Sequence, residues 1–176
     1  MESKDFAFIL PEELIAQKPA NPRDACRLMH LNCKAKKIED LHFYDLEQLL
    51  KPGDVLVFND SKVIPARLFF EFEGKKVELF LVRKLDENEW MALGKPGKLL
   101  VQGRKFVLSD QLYFEVAEVM PDGLRRVHFS LNGDALNVEL KRIGNPPFPP
   151  YIRNPEASFD DYQTVYARAE GSVAAP

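Results

Sequence analysis

The sequence predicts a discontinuous α/β domain that is interrupted by a small antiparallel β-barrel. Residues 66–130 contain short alternating or apolar runs between turn signals, a texture typical of an antiparallel barrel or sandwich. The stretches on either side mix helix-like and strand-like patterns. We therefore expect residues 1–65 and 131–176 to form the α/β domain and residues 66–130 to form the inserted barrel.

The first stretch contains several short elements. Alternation over Phe6–Leu10 predicts a strand, and Pro11 suits the first turn of a short helix. Leu28–Leu31 and Ile38–Phe43 predict two more strands joined by a lysine-rich turn. Asp45–Leu50 predicts a helix with its leucines on one face.

A polar elbow follows a strongly apolar run. Pro52-Gly53 marks a turn, and the continuous run Val55–Phe58 predicts a strand covered on both faces. Asn59-Asp60-Ser61-Lys62 then places four hydrogen-bonding side chains at the end of that strand. Ends of buried strands commonly hold ligand sites in α/β proteins, although a polar turn without a function is the simpler explanation of the pattern alone.

Glycines, prolines and other turn-forming residues mark the ends of the predicted elements in residues 66–176. Asp134–Ile143 predicts a helix that Gly144 ends, and prolines stiffen residues 146–150. The strands expected in the barrel are Leu68–Phe72, Val77–Leu85, Trp90–Leu93, Phe106–Leu108, Tyr113–Val119 and Arg125–Phe129.

Composition restricts the class of protein. The 176 residues carry a net charge of −3, so RNA binding would need a local basic cluster, and the lysines and arginines could simply be solvated. Only two cysteines are present, and we find no signal peptide or membrane-spanning run, so we expect a cytoplasmic protein with reduced thiols. The spacing of Cys26, His30 and Cys33 argues against a metal site. No Rossmann or P-loop glycine motif appears.

Two further groups have open interpretations. Arg23-Asp24 with Arg27 could be a surface ion pair or a set that binds a carboxylate or phosphate. Tyr151, Tyr162 and Tyr166 could pack under the proline-rich segment or stack on a base.

Several of these segments together resemble one enzyme family. The similar segments, in chain order, are Leu10-Pro11-Glu12-Glu13-Leu14-Ile15-Ala16-Gln17, Pro22-Arg23-Asp24, Arg27-Leu28, Phe58-Asn59-Asp60-Ser61-Lys62-Val63-Ile64-Pro65-Ala66-Arg67-Leu68, Pro149-Pro150-Tyr151-Ile152, Tyr162-Gln163-Thr164-Val165-Tyr166-Ala167 and Gly171-Ser172-Val173-Ala174-Ala175-Pro176. They resemble motifs of the S-adenosylmethionine:tRNA ribosyltransferase-isomerases of queuosine biosynthesis. Family members continue well beyond this point, so the chain resembles their N-terminal portion.

The resemblance implies the reaction and the roles of residues. The ribosyl part of S-adenosylmethionine, which is a substrate and not a cofactor, is transferred to 7-aminomethyl-7-deazaguanine at the tRNA wobble position and isomerised to epoxyqueuosine, with release of adenine and methionine. No metal or other cofactor is implied, and a monomer is favoured for the full-length enzyme. The catalytic candidates are Asp24 and Asp60. The substrate-binding candidates are Arg23, Asn59, Ser61, Arg67, Tyr151, Gln163, Thr164, Tyr166 and Ser172.

One departure and two alternatives remain. Asn145-Pro146-Pro147-Phe148 stands where the family commonly has His-Met-Pro-Leu. We expect this chain alone to be inactive, because the pocket would be incomplete. A non-enzymatic RNA-binding barrel is the alternative function, and a fragment without independent function is another.

Overall fold

A computed structural model describes residues 2–154 and 158–173, apart from the side chain of Ser172. The chain divides into two compact units. The first unit contains Met1–Val57 and Pro149–Asp161, and the second contains Phe58–Phe148 and Tyr162–Pro176. Domain boundaries at residues 65 and 130 stay a prediction.

The first unit is built around one antiparallel hairpin. Its strands are β1 (Arg27–Asn32) and β2 (Lys37–His42), which confirms both predicted strands. Lys36 has a φ of 51° in the connecting turn, a left-handed conformation that closes the hairpin. Exposed and half-buried residues alternate along β1, so one face of the hairpin is sheltered. The predicted helix after the hairpin is confirmed as a 3₁₀ turn that continues into α1 (Leu46–Leu49).

Two predicted strands of the first stretch are wrong. Phe6–Leu10 forms no strand, because Phe6 ends a 3₁₀ turn (Ser3–Phe6) and Ile9 is 93% exposed. Val55–Phe58 forms no strand either, and the exposed fractions of Val55 and Val57 are 85% and 91%. An apolar run becomes a buried strand only where a neighbouring strand and covering layers meet it. The described part of the chain provides none for these two segments.

The second unit contains a nearly closed, six-stranded antiparallel sheet, which confirms the predicted barrel-like unit. Its strands are β4 (Arg67–Phe72), β5 (Lys75–Lys84), β6 (Glu89–Lys95), β7 (Lys105–Val107), β8 (Tyr113–Val119) and β9 (Arg125–Phe129). The spatial order is β4-β5-β6-β9-β8-β7. All six strands were predicted, because short alternating runs between turns specify local antiparallel pairing.

Aromatic rings fill the interior of this sheet. Phe106 and Phe114 stack with centroids 5.0 Å apart, and Phe70 meets both rings edge-on at 5.4 and 5.7 Å. Such aromatic contacts contribute beyond the area they bury. Helix α2 (Gly133–Ile143) adds Leu136 and Leu140 to the same core, which confirms the predicted helix and fixes it against the sheet.

The chain returns to its point of entry after α2. A Cβ on Gly144 would clash with the Pro65 carbonyl oxygen, so only glycine allows this close approach. The next residue, Asn145, exchanges two backbone hydrogen bonds with Arg67, at 2.8 and 3.2 Å. The entry to and exit from the sheet therefore lie side by side.

A separate parallel pair completes the second unit. Strand β3 (Ser61–Val63) pairs with β10 (Ala169–Ser172), and the connection between them contains the whole antiparallel sheet and α2. A four-residue helix, α3 (Phe159–Tyr162), precedes β10. None of the helices in the described ranges has the length and apolar character needed to cross a membrane.

Candidate functional site

The parallel pair brings together most of the candidate site residues of the second unit. Ser61 lies opposite Ala169 in the register, so the polar elbow meets the segment that leads into β10. We call this group the strand-pair cluster. Its members are Phe58, Asn59, Asp60, Ser61, Gln163, Thr164 and Tyr166.

Backbone hydrogen bonds fix the elbow in place. The Asp60 carbonyl oxygen accepts from the backbone N–H groups of Arg168 at 2.6 Å and Ala169 at 3.1 Å. The Asn59 side-chain oxygen accepts from the backbone N–H of Ser61 at 2.8 Å, an Asx turn that holds the elbow's curvature. The Asn59 side chain therefore serves the local structure of the elbow.

Gln163 clamps strand β3 through its side-chain amide. Its Oε1 accepts from the Val63 backbone N–H at 2.9 Å, and its Nε2 donates to the Val63 carbonyl at 2.8 Å. Val63 is 2% exposed, so its backbone groups need partners within the protein. Gln163 therefore positions β3, with both ends of its amide engaged.

The aromatic side of the cluster is formed by two rings. Tyr166 lies against Phe58 with centroids 4.4 Å apart and planes tilted by 40°. The Thr164 hydroxyl oxygen lies 3.4 Å from the Tyr166 backbone N–H, a long hydrogen bond at the turn before β10. Tyr166 is 40% exposed, so this side of the cluster is partly open to solvent.

Asp60 and Ser61 carry the available polar groups of the cluster. Within residues 2–154 and 158–173, neither the Asp60 carboxylate nor the Ser61 hydroxyl has a hydrogen-bond or ion-pair partner. An exposed, unpaired carboxylate is a group that can accept a proton or bind a cationic substrate.

Arg67 belongs to the same unit but serves the sheet. Its Nε lies 3.1 Å from a Glu78 carboxylate oxygen, and its guanidinium carbon lies 5.8 Å from the centre of the Phe80 ring. These residues line an open cavity of about 320 Å³ together with Leu93 and Lys95. Asn145, which stands where the family commonly has His, lies beside Arg67. Its backbone and side-chain amide bind the backbone of Arg67 at the start of β4.

The first unit contains the other candidates. Arg23 donates to the Asp160 and Asp161 carbonyl oxygens at 2.9 and 3.0 Å, so its guanidinium anchors helix α3 itself. The Ser158 backbone N–H, with the Ser158 hydroxyl, lowers the pKa of the Asp161 carboxyl. No partner of the Asp24 carboxylate is found in the described ranges.

Tyr151 lines an open cavity of about 700 Å³ in this unit. Arg153 and Glu12 form a bidentate ion pair across it, at 3.0 and 3.2 Å, and the Gln17 amide donates to the Tyr151 carbonyl at 3.0 Å. Sequence reasoning did not select Arg153 or Gln17 as site residues. The available signals were that Gln17 is the last residue of the first similar segment and that Arg153 lies one residue beyond the segment Pro149-Pro150-Tyr151-Ile152.

The sequence left open whether the lysines and arginines bind RNA or are simply solvated, and several of them form ion pairs. Arg126 contacts Glu89 and Glu118, Lys141 contacts Glu170, and Arg142 contacts Glu139. Cys26 and Cys33 are exposed free thiols. In the part of the chain that the structure describes, no group of three His, Cys, Asp or Glu side chains could hold a metal ion. The side chain of Ser172 and residues 174–176 lie outside the described part.

Comparison with known proteins defines the class. The family described as "Queuosine biosynthesis protein" matches residues 3–176. The S-adenosylmethionine:tRNA ribosyltransferase-isomerases of Thermosipho africanus and Thermosipho melanesiensis are 48% and 46% identical over 100% of this chain. The one from Thermotoga maritima is 44% identical over the same share. The chain therefore belongs to the queuosine biosynthesis protein family.

The chain spans about half the length of the curated relatives it matches, 52% in each of these three. A crystal structure of S-adenosylmethionine tRNA ribosyltransferase from Thermotoga maritima is 39% identical, with 86% of this chain and 51% of that chain covered, at a TM-score of 0.41.

Proposed function

We propose that this chain forms the N-terminal half of an enzyme that transfers and isomerises the ribosyl group of S-adenosylmethionine. The acceptor is 7-aminomethyl-7-deazaguanine at the tRNA wobble position, the product is epoxyqueuosine, and adenine and methionine leave. The observation that carries this proposal is the family match over residues 3–176 with 48% identity to a relative of that name. The strand-pair cluster adds support, because motif residues about 100 positions apart meet there.

Asp60 is the residue that we favour as the general base. The sulfonium of S-adenosylmethionine acidifies its C5′ hydrogens, so a nearby carboxylate suffices to remove one of them. Asp60 is unpaired in the described part of the chain, and the backbone bonds to Arg168 and Ala169 hold it on a fixed elbow. Tyr166 and Phe58 then offer a ring surface on which adenine or the deazaguanine stacks.

The remaining candidates take supporting roles. Asp24 is the second candidate for the base, and Arg23, Ser61, Arg67, Tyr151, Thr164 and Ser172 are proposed to orient ribose, phosphate or base atoms. S-adenosylmethionine acts as substrate without a further cofactor, tRNA is the partner, and the cytoplasm is the expected compartment. The full-length enzyme is proposed to be a monomer.

We also propose that the first and last stretches form one discontinuous α/β domain. The parallel β3–β10 pair supports this, because the antiparallel sheet lies between these two strands in the sequence. The exposed run Val55–Phe58 would be covered within that domain.

The test is a chimera in which this chain replaces the matching half of the Thermosipho africanus relative. Purified chimera, incubated with S-adenosylmethionine and tRNA carrying the deazaguanine precursor, should release adenine and methionine, measured by chromatography. Asp60→Asn in the chimera should lower kcat by about 10²–10⁴, the usual contribution of a general base. Asp24→Asn is the matched control, and a larger loss there than at Asp60 would move the base to Asp24.

The 176-residue chain alone should not turn over. Misplacement of reacting groups by about 1 Å costs roughly 10²-fold in rate, and this chain matches only 52% of the length of the Thermosipho africanus relative. Turnover within about tenfold of the intact relative would contradict this, since tenfold is only ~1.4 kcal/mol of barrier. A folded chimera that binds tRNA but never turns over would contradict the enzymatic proposal and favour an RNA-binding barrel. The cavity with Phe80, Arg67 and Lys95 is where that alternative would bind a base and its phosphate.

A further inference from the structure

A strongly basic turn closes the β1–β2 hairpin of the first unit. We call residues 32–37 the basic turn. Lys34, Lys36 and Lys37 occupy three of the four positions 34–37, although the whole chain has a net charge of −3. No acidic residue occurs between positions 32 and 38. The basic turn is therefore a local concentration of positive charge on a chain that is acidic as a whole.

The basic turn has a locally held backbone and two uncompensated cations. The Asn32 side-chain oxygen accepts a hydrogen bond from the Ala35 backbone N–H at 3.0 Å, which holds the turn that contains the left-handed Lys36. Lys37 forms an ion pair with Glu39 at 2.7 Å. Lys34 and Lys36 are exposed, and neither has an ion-pair or hydrogen-bond partner among the described residues.

Other neighbouring pairs of basic residues are used within the second unit itself. They form ion pairs, lie over aromatic rings or donate to backbone carbonyl oxygens. These residues are Arg104, Lys105, Arg125, Arg126, Lys141 and Arg142. A cation that must first leave such a partner gains less from binding a phosphate. The basic turn is therefore better suited than these pairs to bind a polyanion.

A second hairpin shows that the lysines are not required by the turn geometry. The β4–β5 turn also contains a left-handed residue, Glu73, with a φ of 50°. Its exposed Lys75 and Lys76 are balanced by Glu71 and Glu73, so residues 71–76 carry no net charge. We call residues 71–76 the balanced turn. The two turns share a backbone feature and differ in charge, so the excess of lysine in the basic turn needs another explanation.

We propose that the basic turn binds the sugar–phosphate backbone of RNA, with the Lys34 and Lys36 ammonium groups against phosphates. Lysine is depleted in protein–protein interfaces, whereas contacts to phosphate supply most of the affinity of RNA-binding proteins, which favours RNA over a protein. The inference rests on the proposed function for the identity of the RNA, which is tRNA. Contacts to phosphate position a nucleic acid and carry no sequence information, so the basic turn would hold the tRNA while other residues select the base.

The test is the salt dependence of tRNA binding, measured by fluorescence anisotropy with the 176-residue chain and with the chimera described above. Lys34→Gln/Lys36→Gln should reduce the slope of log K against log salt concentration by about 1.4–1.8, and the affinity at low salt should fall by about tenfold or more. Lys34→Arg/Lys36→Arg retains the charge and should retain the slope. Lys75→Gln/Lys76→Gln removes the same charge from the balanced turn and should leave the slope nearly unchanged.

Turnover by the chimera separates this proposal from the proposed function. If the chimera is active, kcat/KM for tRNA should fall by about tenfold or more in Lys34→Gln/Lys36→Gln, while KM for S-adenosylmethionine stays the same. If the chimera is inactive but its tRNA binding still depends on the basic turn, the enzymatic proposal fails and this one stands.

Three results would show that the basic turn does not bind tRNA. One is an unchanged salt slope in Lys34→Gln/Lys36→Gln, and another is an equal loss in Lys75→Gln/Lys76→Gln. A slope that falls only in Lys95→Gln would place RNA on the antiparallel sheet instead. The absence of tRNA binding by both the chain and the chimera would also overturn the proposal.

Discussion

Replacing Gln163 by alanine should open the parallel strand pair without disturbing the antiparallel sheet. The substitution removes the two hydrogen bonds to Val63, at 2.9 and 2.8 Å. Each hydrogen bond contributes about 1 kcal/mol, and the nearly buried backbone groups of Val63 would be left without partners. We therefore expect the pair to lose about 2–3 kcal/mol of local stability.

Amide hydrogen exchange measures this loss at the right place. The Arg168 and Ala169 amides donate to the Asp60 carbonyl and report on opening of the pair. Since 1.4 kcal/mol is tenfold, their protection should fall by roughly 30- to 140-fold. The Leu81 amide, which donates to the Ala66 carbonyl inside the antiparallel sheet, should be unchanged.

Two controls separate the clamp from general effects. Gln111→Ala removes an exposed glutamine side chain of the same unit and should leave exchange at Arg168 unaltered. Gln163→Glu keeps the shape but replaces the donor to the Val63 carbonyl by an anionic oxygen, so it should destabilise the pair at neutral pH. Unchanged exchange at Arg168 and Ala169 in Gln163→Ala would refute the clamp.

Two other predictions test helix α2. Hydrogen bonds from Arg142 and then from Ser109 lower the pKa of Glu139 from 4.5 to about 2. The stabilisation by the Glu139 carboxylate is therefore complete above pH 4.5 and is lost as the pH falls toward 2. The difference in urea midpoint between wild type and Glu139→Gln should shrink over that range. A difference that stays constant with pH would contradict this prediction. Gly144→Ala should cost about 1–3 kcal/mol, because its Cβ would meet the Pro65 backbone. That should lower Tm by several degrees in thermal unfolding, whereas Val138→Ala, at an exposed position of the same helix, should not.

Local signals in the sequence were sufficient for the antiparallel sheet. Strands β8 and β9 begin and end where the alternation predicts, because hairpin pairing is decided by nearby turns and by side-chain alternation. The same reasoning was wrong for Val55–Phe58. An apolar run indicates that burial would stabilise a segment, but it does not identify the strand or helix that would cover it.

Motif similarity selected Asn59, Asp60, Gln163 and Tyr166 before any geometry was available, and the parallel pair does bring them together. Their present contacts could not be predicted. Nothing in the sequence around Gln163 shows that its side-chain amide accepts a hydrogen bond from the backbone of Val63, 100 residues earlier.

The sequence by itself therefore determined the family, the antiparallel strands and the residue types available for chemistry, because these depend on identity and short-range pattern. Only the tertiary structure decided which polar groups are engaged and which remain available. Asp60 keeps its carboxylate unpaired in the described part of the chain, while Asn59 and Gln163 are used by the backbone. The physical reason is that hydrogen-bond partners are set by distances between remote segments, and those distances exist only after the chain has packed.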